Sequence, residues 1–323
     1  MAGTHTIGID LGGTNIKAGV VDPAGKLVRR TSIATEADRG FEHVFARLVR
    51  LVEDLLSQAG LTSTDVCAIG FGTPGPMSHE KGVIYAAPNL PGWDNIPLRD
   101  RFAEATGLPV ALDNDANAAA FGEFTAGAGR GTRDMVMLTL GTGIGGGIIL
   151  DGRLLRGTFD NAAEIGHTIA VPGGRPCPCG QRGCLERYSS ANAVAERLIE
   201  AIEAGETSSL DPAARTGPRP TSADVARAAR EGDALAARIW DEMCLHLAIG
   251  CVNIQHMVNP ETIVLGGGMI RAGEQLLAPV RAHFRKQVWP VPQDYPRIEL
   301  ATLGDDAGII GAAALARLDA LRK

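Results

Sequence analysis

The chain has no excess of positive charge: Lys and Arg number 31 against 37 Asp and Glu, a formal net charge of -6 over 323 residues. That balance leaves no broad basic face for phosphate backbones or anionic lipid, so neither nucleic acid nor a membrane surface is an expected partner. Glycine breaks the long apolar stretches well short of the roughly 20 residues a bilayer span needs. The opening residues Met1–Gly13 carry no basic region followed by an apolar run, and a cytoplasmic location is expected. No Gly-x-x-x-x-Gly-Lys-Ser/Thr stretch occurs, which excludes a P-loop enzyme. Cysteine is scarce, six in all, and unevenly spread. Cys177, Cys179 and Cys184 lie close together, whereas Cys67, Cys244 and Cys251 are scattered through apolar segments. Disulfides are rare in a reducing cytosol, so the cluster reads as metal ligands and the scattered three as core.

What is present is apolar residues, 45% of a chain longer than one hydrophobic core usually serves. Two lobes are the natural expectation: residues 1–118 with 304–323 as a small N-terminal lobe, and 119–303 as a larger one. Thr6–Asp10 and Asn15–Val21 are strand-like runs around a Gly-Gly-Thr turn, and Asp22-Pro-Ala-Gly25 turns into a third strand, Lys26–Ile33. Phe41–Gln58 carries apolar residues at a helical period ended by Gly60. Further along, Val66–Phe71 and Val110–Leu112 read as strands, and Leu98–Thr106 and Ala116–Ala126 as helices. Ala234–Met257 reads as a long core helix, Glu261–Leu265 as a strand, and alanine-rich Gly304–Leu321 as a helix returning to the N-terminal lobe. Thr207–Thr221, rich in Ser, Pro, Ala and Arg, reads as a mobile surface loop.

The chain also repeats itself. IGIDLGGTNIKAGVVD from Ile7 and VMLTLGTGIGGGIILD from Val136 align without gaps: strand, Gly/Thr turn, strand, closing Asp. A duplicated β-β-β-α lobe would set the two turns facing one another across a cleft. Backbone N–H groups in such turns approach phosphate oxygens closely because no Cβ intervenes, and Thr14 and Thr142 add hydroxyls. Gly12, Gly13 and Lys17 in the first turn, and Gly143 in the second, complete a candidate nucleotide-phosphate set, with Asp10 placed to hold Mg²⁺ through water. Either turn alone could be an ordinary hairpin.

Two local patterns add chemistry. Leu112-Asp113-Asn114-Asp115-Ala116-Asn117 places acids where a strand runs into a helix; one of them can be an N-cap, and a carboxylate at that helix start stays ionised. His167, Cys177, Cys179 and Cys184 form a Cys₃His set, the ligands of a closed tetrahedral zinc site, structural rather than hydrolytic. A His that gives one ring nitrogen to zinc keeps the other for hydrogen bonding.

DLGGTNIK at Asp10–Lys17, LGTGIGGG at Leu140–Gly147 and GHTIAVPGGRPCPCGQRGCLE at Gly166–Glu186 resemble the signature of the ROK family of sugar kinases, the bacterial glucokinases in particular. The resemblance runs from Ile7 to about Leu315. It implies the actin/hexokinase/Hsp70-like ATPase fold, α/β and two-lobed around a cleft, which agrees with the repeat. It also implies Asp115 as catalytic base, Asn114 as a sugar-hydroxyl ligand, and Glu164, His167, Glu186 and Asn89 as further sugar contacts. Gly267 and Gly268 resemble the family's adenosine-binding turn. ATP, Mg²⁺ and structural Zn²⁺ are the implied cofactors, and a homodimer or dimer of dimers the implied assembly.

On that footing the expected activity is ATP-dependent phosphorylation of a hexose, most simply glucose. N-acetylglucosamine or N-acetylmannosamine kinases are the nearest alternatives; the family's fructokinases usually carry a second His where this chain has only cysteines. The same family includes sugar-responsive transcription regulators with a winged-helix segment ahead of the phosphate turn, but here that turn begins by Asp10. An Hsp70- or actin-like ATPase fits the turns but not the set Glu164, His167 and Glu186, which suits a small polyol.

Overall fold

A computed structural model describes residues 3–87, 89–211, 219–290 and 294–321. In chain order the elements are β1 (His5–Leu11), β2 (Asn15–Val21), β3 (Leu27–Ala34), α1 (Phe41–Ala59), β4 (Val66–Thr73), β5 (Met77–Ser78), β6 (Val83–Ala86), β7 (Asp94–Ile96), α2 (Leu98–Thr106), β8 (Val110–Asn114) and α3 (Asp115–Ala126). There follow β9 (Met135–Leu140), β10 (Ile144–Leu150), β11 (Arg153–Leu154), α4 (Glu186–Ser189), α5 (Ala191–Glu203), α6 (Ser222–Arg230), α7 (Ala234–Met257), β12 (Thr262–Gly266), α8 (Glu274–Gln287), β13 (Arg297–Leu300) and α9 (Ala307–Leu321). The chain divides into two compact units. One comprises Met1–Arg133, Gly147–Ala163 and Thr302–Lys323; the other comprises Asp134–Gly146 and Glu164–Ala301.

The first unit is built on a sheet of order β3-β2-β1-β4-β8. β1 to β3 form an antiparallel meander, and β4 and β8 extend it parallel to β1. β1 is apolar along most of its length, as a strand covered on both faces should be. One cover is α1, whose Phe41, Val44, Leu48, Leu51, Val52, Leu55 and Leu56 recur at helical spacing and are buried; Gly60 ends the helix in the left-handed region at φ 68°. The other cover includes α9, which packs on β1, β4 and α3. Small residues permit that approach: a Cβ on Gly8 would lie 1.8 Å from the Ile309 carbonyl oxygen, and one on Gly311 1.7 Å from that of Ala118.

In the second unit β12 pairs parallel with both β9 and β13, and β12 is buried throughout. The long helix α7 buries an apolar stripe from Leu235 to Ile254 and packs on α6 and α8; Asp233 caps it, its side chain accepting the Ala236 N–H. Cys244 and Cys251 lie in that core as expected, while Cys67 is only partly buried. His246 and His256 find structural partners, the Tyr188 ring stacked at 4.5 Å and the Trp289 N–H.

The second copy of the repeat departs from the first after its hairpin. β11 is only Arg153–Leu154, and among the described residues no α-helix lies between it and α4. The intervening chain contains Pro172, Gly173, Gly174, Pro176, Pro178, Gly180 and Gly183, which disfavour both helix and strand, and its backbone bonds close local turns instead. Residues 212–218 of the segment read as a surface loop lie outside the described residues.

Candidate active site

In the first unit the Gly12–Thr14 turn is closed by the Gly12 N–H donating to the Asn15 carbonyl at 3.1 Å. Thr35, fully buried, braces it twice: its N–H donates to the Thr14 carbonyl at 2.8 Å and its hydroxyl to the Gly12 carbonyl at 2.6 Å. Gly13 leaves room for Asn89, since a Cβ there would stand 2.7 Å from the Asn89 Cβ. The predicted sugar ligand Asn89 and the predicted phosphate residue Gly13 are therefore packed against each other. Asp10, half-buried between buried Ile9 and Leu11 of β1, stands beside Gly308, where a Cβ would come within 3.1 Å of the Asp10 carboxyl carbon. Burial pushes the Asp10 carboxyl above its ordinary range, Lys17 pulls it back, and Asp305 adds to the rise. Lys17 itself donates to Asp305 at 3.0 Å. A half-buried carboxylate whose neighbouring Lys17 is engaged by Asp305 is a fitting partner for a hydrated divalent cation.

The β8–α3 junction separates its three acidic and amide side chains by task. Asn114 is the N-cap: its Oδ1 accepts the N–H groups of Ala116 at 2.9 Å and Asn117 at 3.2 Å, which leaves its amide NH₂ for another acceptor. Asp113 is buried, takes the Asn114 N–H and the Asn117 side-chain amide on Oδ1 at 2.9 Å each, and receives both Nε and a terminal nitrogen of Arg156 on Oδ2 at 2.7 Å. Asp115 is the exposed first residue of α3, with Oδ1 accepting the Ala116 N–H at 2.8 Å. Helix-start N–H groups and the macrodipole favour the ionised form of such a carboxylate, the form that can accept the proton of an approaching hydroxyl.

In the second unit the Gly141–Gly143 turn is closed by the Gly141 N–H donating to the Gly143 carbonyl at 3.0 Å. Thr142 is exposed at its tip. The Ile144 N–H that follows the turn donates to Glu186 Oε2 at 2.8 Å. Gly267, at φ 83°, abuts Leu140 just ahead of the turn, 2.5 Å from its carbonyl to a notional Cβ, and Gly268 stands open beside it. Glu164 is exposed and caps the short turn Ile165–His167, its carbonyl accepting the His167 N–H at 3.0 Å, so Glu164 and His167 share one small element.

His167, Cys177, Cys179 and Cys184 converge, each offering a donor atom within 4.8 Å of the others. Cys179 and Cys184 sulfurs are 3.7 Å apart, as are the Cys177 sulfur and His167 Nδ1. A tetrahedral zinc with bonds of about 2.3 Å sets its sulfurs about 3.8 Å apart, so these residues fit the ion. Nδ1 faces the thiols, leaving Nε2 for other partners. The Gln181 N–H helps hold the Cys179 thiol at about 7, while burial drives Cys184 to about 12; a bound cation favours the thiolate of both.

A family model described as "ROK family" matches residues 6–318. The chain belongs to the ROK family. It is 39% identical to a glucokinase of Halalkalibacterium halodurans over 96% of this chain and 94% of that one. Among solved structures, a ROK hexokinase from Thermus thermophilus superposes with a TM-score of 0.84 at 34% identity, covering 99% of this chain and 100% of the other. A ROK glucokinase from Streptomyces griseus in complex with glucose and AMPPNP superposes at 0.80 and 36% identity, covering 97% and 99%. The fold is therefore that of the actin/hexokinase-like ATPases, as the repeat and the resemblance lead one to expect.

Thr35, Arg156 and Asp305 were not among the residues expected from the sequence. Asp305 announces itself as an acid at a helix start, but nothing near Arg156 in sequence signals a partner at Asp113.

Proposed function

We propose that the protein transfers the γ-phosphoryl group of ATP to the 6-hydroxyl of a hexose, glucose first, as a cytoplasmic hexokinase-type phosphotransferase. The observation that carries this reading is the division of labour at β8–α3: Asp113 is committed to Arg156 and Asn114 to the helix cap, while Asp115 stands exposed at the helix start. The glucokinases and hexokinase to which the chain is similar support the same choice.

In this mechanism Asn89, the Asn114 amide, Glu164, His167 Nε2 and Glu186 hold sugar hydroxyls, and Asp115 takes the proton of the attacking hydroxyl. The new O–P bond forms as the bond from the γ-phosphorus to its bridging oxygen breaks, and ADP leaves. Carboxylates suit hydroxyl recognition because a missing hydroxyl strands a buried charge. Gly12, Gly13, Thr14 and Lys17, with Thr142 and Gly143, receive the phosphates, and Gly267 and Gly268 the adenosine. Asp10 would hold a hydrated Mg²⁺, which would supply positive charge against the phosphates. His167 and the three cysteines would hold a structural Zn²⁺, which would fix the His167 tautomer. Residues 1–118 with 304–323 act as the small lobe and 119–303 as the large one, in a homodimer or dimer of dimers.

An ADP-release assay over glucose, mannose, fructose, N-acetylglucosamine and N-acetylmannosamine tests the reading. Glucose is expected to give the highest kcat/KM; preference for an N-acetylated sugar moves the assignment to an N-acetylhexosamine kinase, and turnover of none of them defeats it.

A further inference from the structure

The residues proposed to read the sugar and those proposed to hold phosphate meet at one residue of the second unit, Ile144. The Ile144 N–H, first after the Gly141–Gly143 turn, donates to Glu186 Oε2 at 2.8 Å. The Ile144 carbonyl oxygen lies 2.1 Å from where a Cβ on Gly166 would stand, so the turn bearing Glu164 and His167 rests directly on it. Glu186 reaches the N–H only because Gly143 lacks a side chain; a Cβ there would lie 2.2 Å from Oε2 and 3.0 Å from Cδ. Gly143 does not occupy the left-handed region, so backbone conformation does not demand its glycine. At the other end of the turn the Ala191 N–H donates to the Gly141 carbonyl at 2.9 Å, which makes the segment from Glu186 to Ala191 a brace gripping both ends.

The geometry points to Glu186 as a positioning residue for the phosphate turn, coupling hexose binding to nucleotide binding through Ile144; this rests on the proposed assignment of Glu186 to the sugar. One carboxylate oxygen fixes the turn and the other is left for a sugar hydroxyl. A sugar that orders the carboxylate also orders the turn, so the nucleotide meets a conformation already selected. Such coupling is reciprocal: whatever disturbs the turn at Gly143 disturbs the sugar site. Since Oε2 already takes the Ile144 N–H, the N–H groups of Thr142 and Gly143 are those the turn has left for phosphate.

Calorimetric titration of the full chain separates the steps, with glucose alone and with AMPPNP in the absence and presence of glucose. Wild type is expected to bind AMPPNP at least fivefold tighter with glucose present. Gly143→Ala, a change in the phosphate turn, is expected to raise the glucose Kd at least fivefold with no nucleotide present and to bring the coupling within twofold of unity. A glucose Kd within twofold of wild type in that variant overturns the proposal. Glu186→Ala, which removes the acceptor of the Ile144 N–H, is expected to weaken AMPPNP binding at least threefold without any sugar. Glu186→Gln, whose amide oxygen still accepts that N–H, should restore it to within twofold while leaving glucose binding poor. Equal AMPPNP affinity in Glu186→Ala and wild type, or no rescue by Gln, also overturns it, and this pair decides the matter if Gly143→Ala does not fold. Failure of wild type to bind any hexose sinks the sugar assignment instead, and the nucleotide-only comparison still reads the brace.

Discussion

Replacing Arg156 by Met removes one side of a nearly dry ion pair. Arg156 and Asp113 side chains are 19% and 5% exposed, and the two 2.7 Å contacts are all that Asp113 Oδ2 receives from a guanidinium. The His79 ring offers no substitute, since its Nδ1 is 3.9 Å away and bonded to the Leu112 carbonyl at 2.8 Å. An uncompensated carboxylate at that depth costs about 3–5 kcal/mol, which for a unit of this size lowers Tm by roughly 6–20 °C. Making the partner neutral as well, in Asp113→Asn with Arg156→Met, removes the stranded charge and is expected to recover at least half of the loss. Arg156→Lys keeps a charge without the two-pronged fork and should fall between. Calorimetric unfolding at pH 7, with denaturant titration alongside, measures all four proteins. A single-variant loss below about 1 kcal/mol, or a double variant less stable than Arg156→Met, refutes the reasoning. The same variants should lose kcat more than they raise KM for glucose, because Asp113 holds the Asn114 N–H and the Asn117 amide on either side of Asp115.

Asp115→Asn should lower kcat by about 10²–10⁴ with little change in glucose KM, and survival of most of the activity would contradict the base assignment. Asp10→Asn separates stability from function: the raised folded pKa means protonated Asp10 is favoured by folding, a contribution present at low pH and lost as pH rises through the folded pKa. The variant should therefore melt higher than wild type at pH 7, with the difference closing toward pH 3, while Mg²⁺-dependent turnover collapses; a lower Tm at pH 7 contradicts the account. Protein purified without chelator should carry about one zinc per chain by elemental analysis, and Cys177→Ala should lose it together with thermal stability. Asp233→Ala should cost about 1–2 kcal/mol by uncapping α7. Burial alone would raise the Asp233 carboxyl, but N–H and hydroxyl donors from Ala236, Ser208 and Ser209 hold it at about 2, so wild type should lose this stabilisation as pH falls from about 4 to 2 and the variant should not.

Local patterns carried much of this protein into its sequence. Helix α1 was legible because Phe41 to Leu56 keep one period and Gly60 stops it, and the metal cluster because ligands close in sequence must be close in space. The junction Asp113–Asp115 was legible as a helix start with chemistry, but not as three separate tasks. Which of three adjacent polar side chains caps depends on where the backbone passes from strand to helix, and Asn114 is the last extended residue before Asp115 opens α3. Arg156 was invisible for a different reason. It lies 43 residues from Asp113, on the segment after β11 where the second repeat stops following the first, so neither periodicity nor internal alignment points to it.

The glycines show the same limit from the other side. Gly12, Gly13, Gly143 and Gly267 read from sequence as residues that let phosphate or adenosine approach, yet in each case the volume a Cβ would take is already occupied by protein: Asn15, Asn89, Glu186 and Leu140 respectively. Gly141 and Gly268 are the ones with open space at that position. A glycine-rich turn in this chain is therefore first a packing solution that lets side chains such as Asn89 and Glu186 reach the turn backbone. This predicts an asymmetry that ligand access alone does not: Gly141→Ala should leave the unliganded protein's Tm within about 1 °C of wild type, because its Cβ meets nothing, whereas Gly13→Ala must displace the Asn89 backbone and should lower it measurably. Equal Tm values for the two variants in the absence of nucleotide would mean that both turns owe their glycines to the ligand after all.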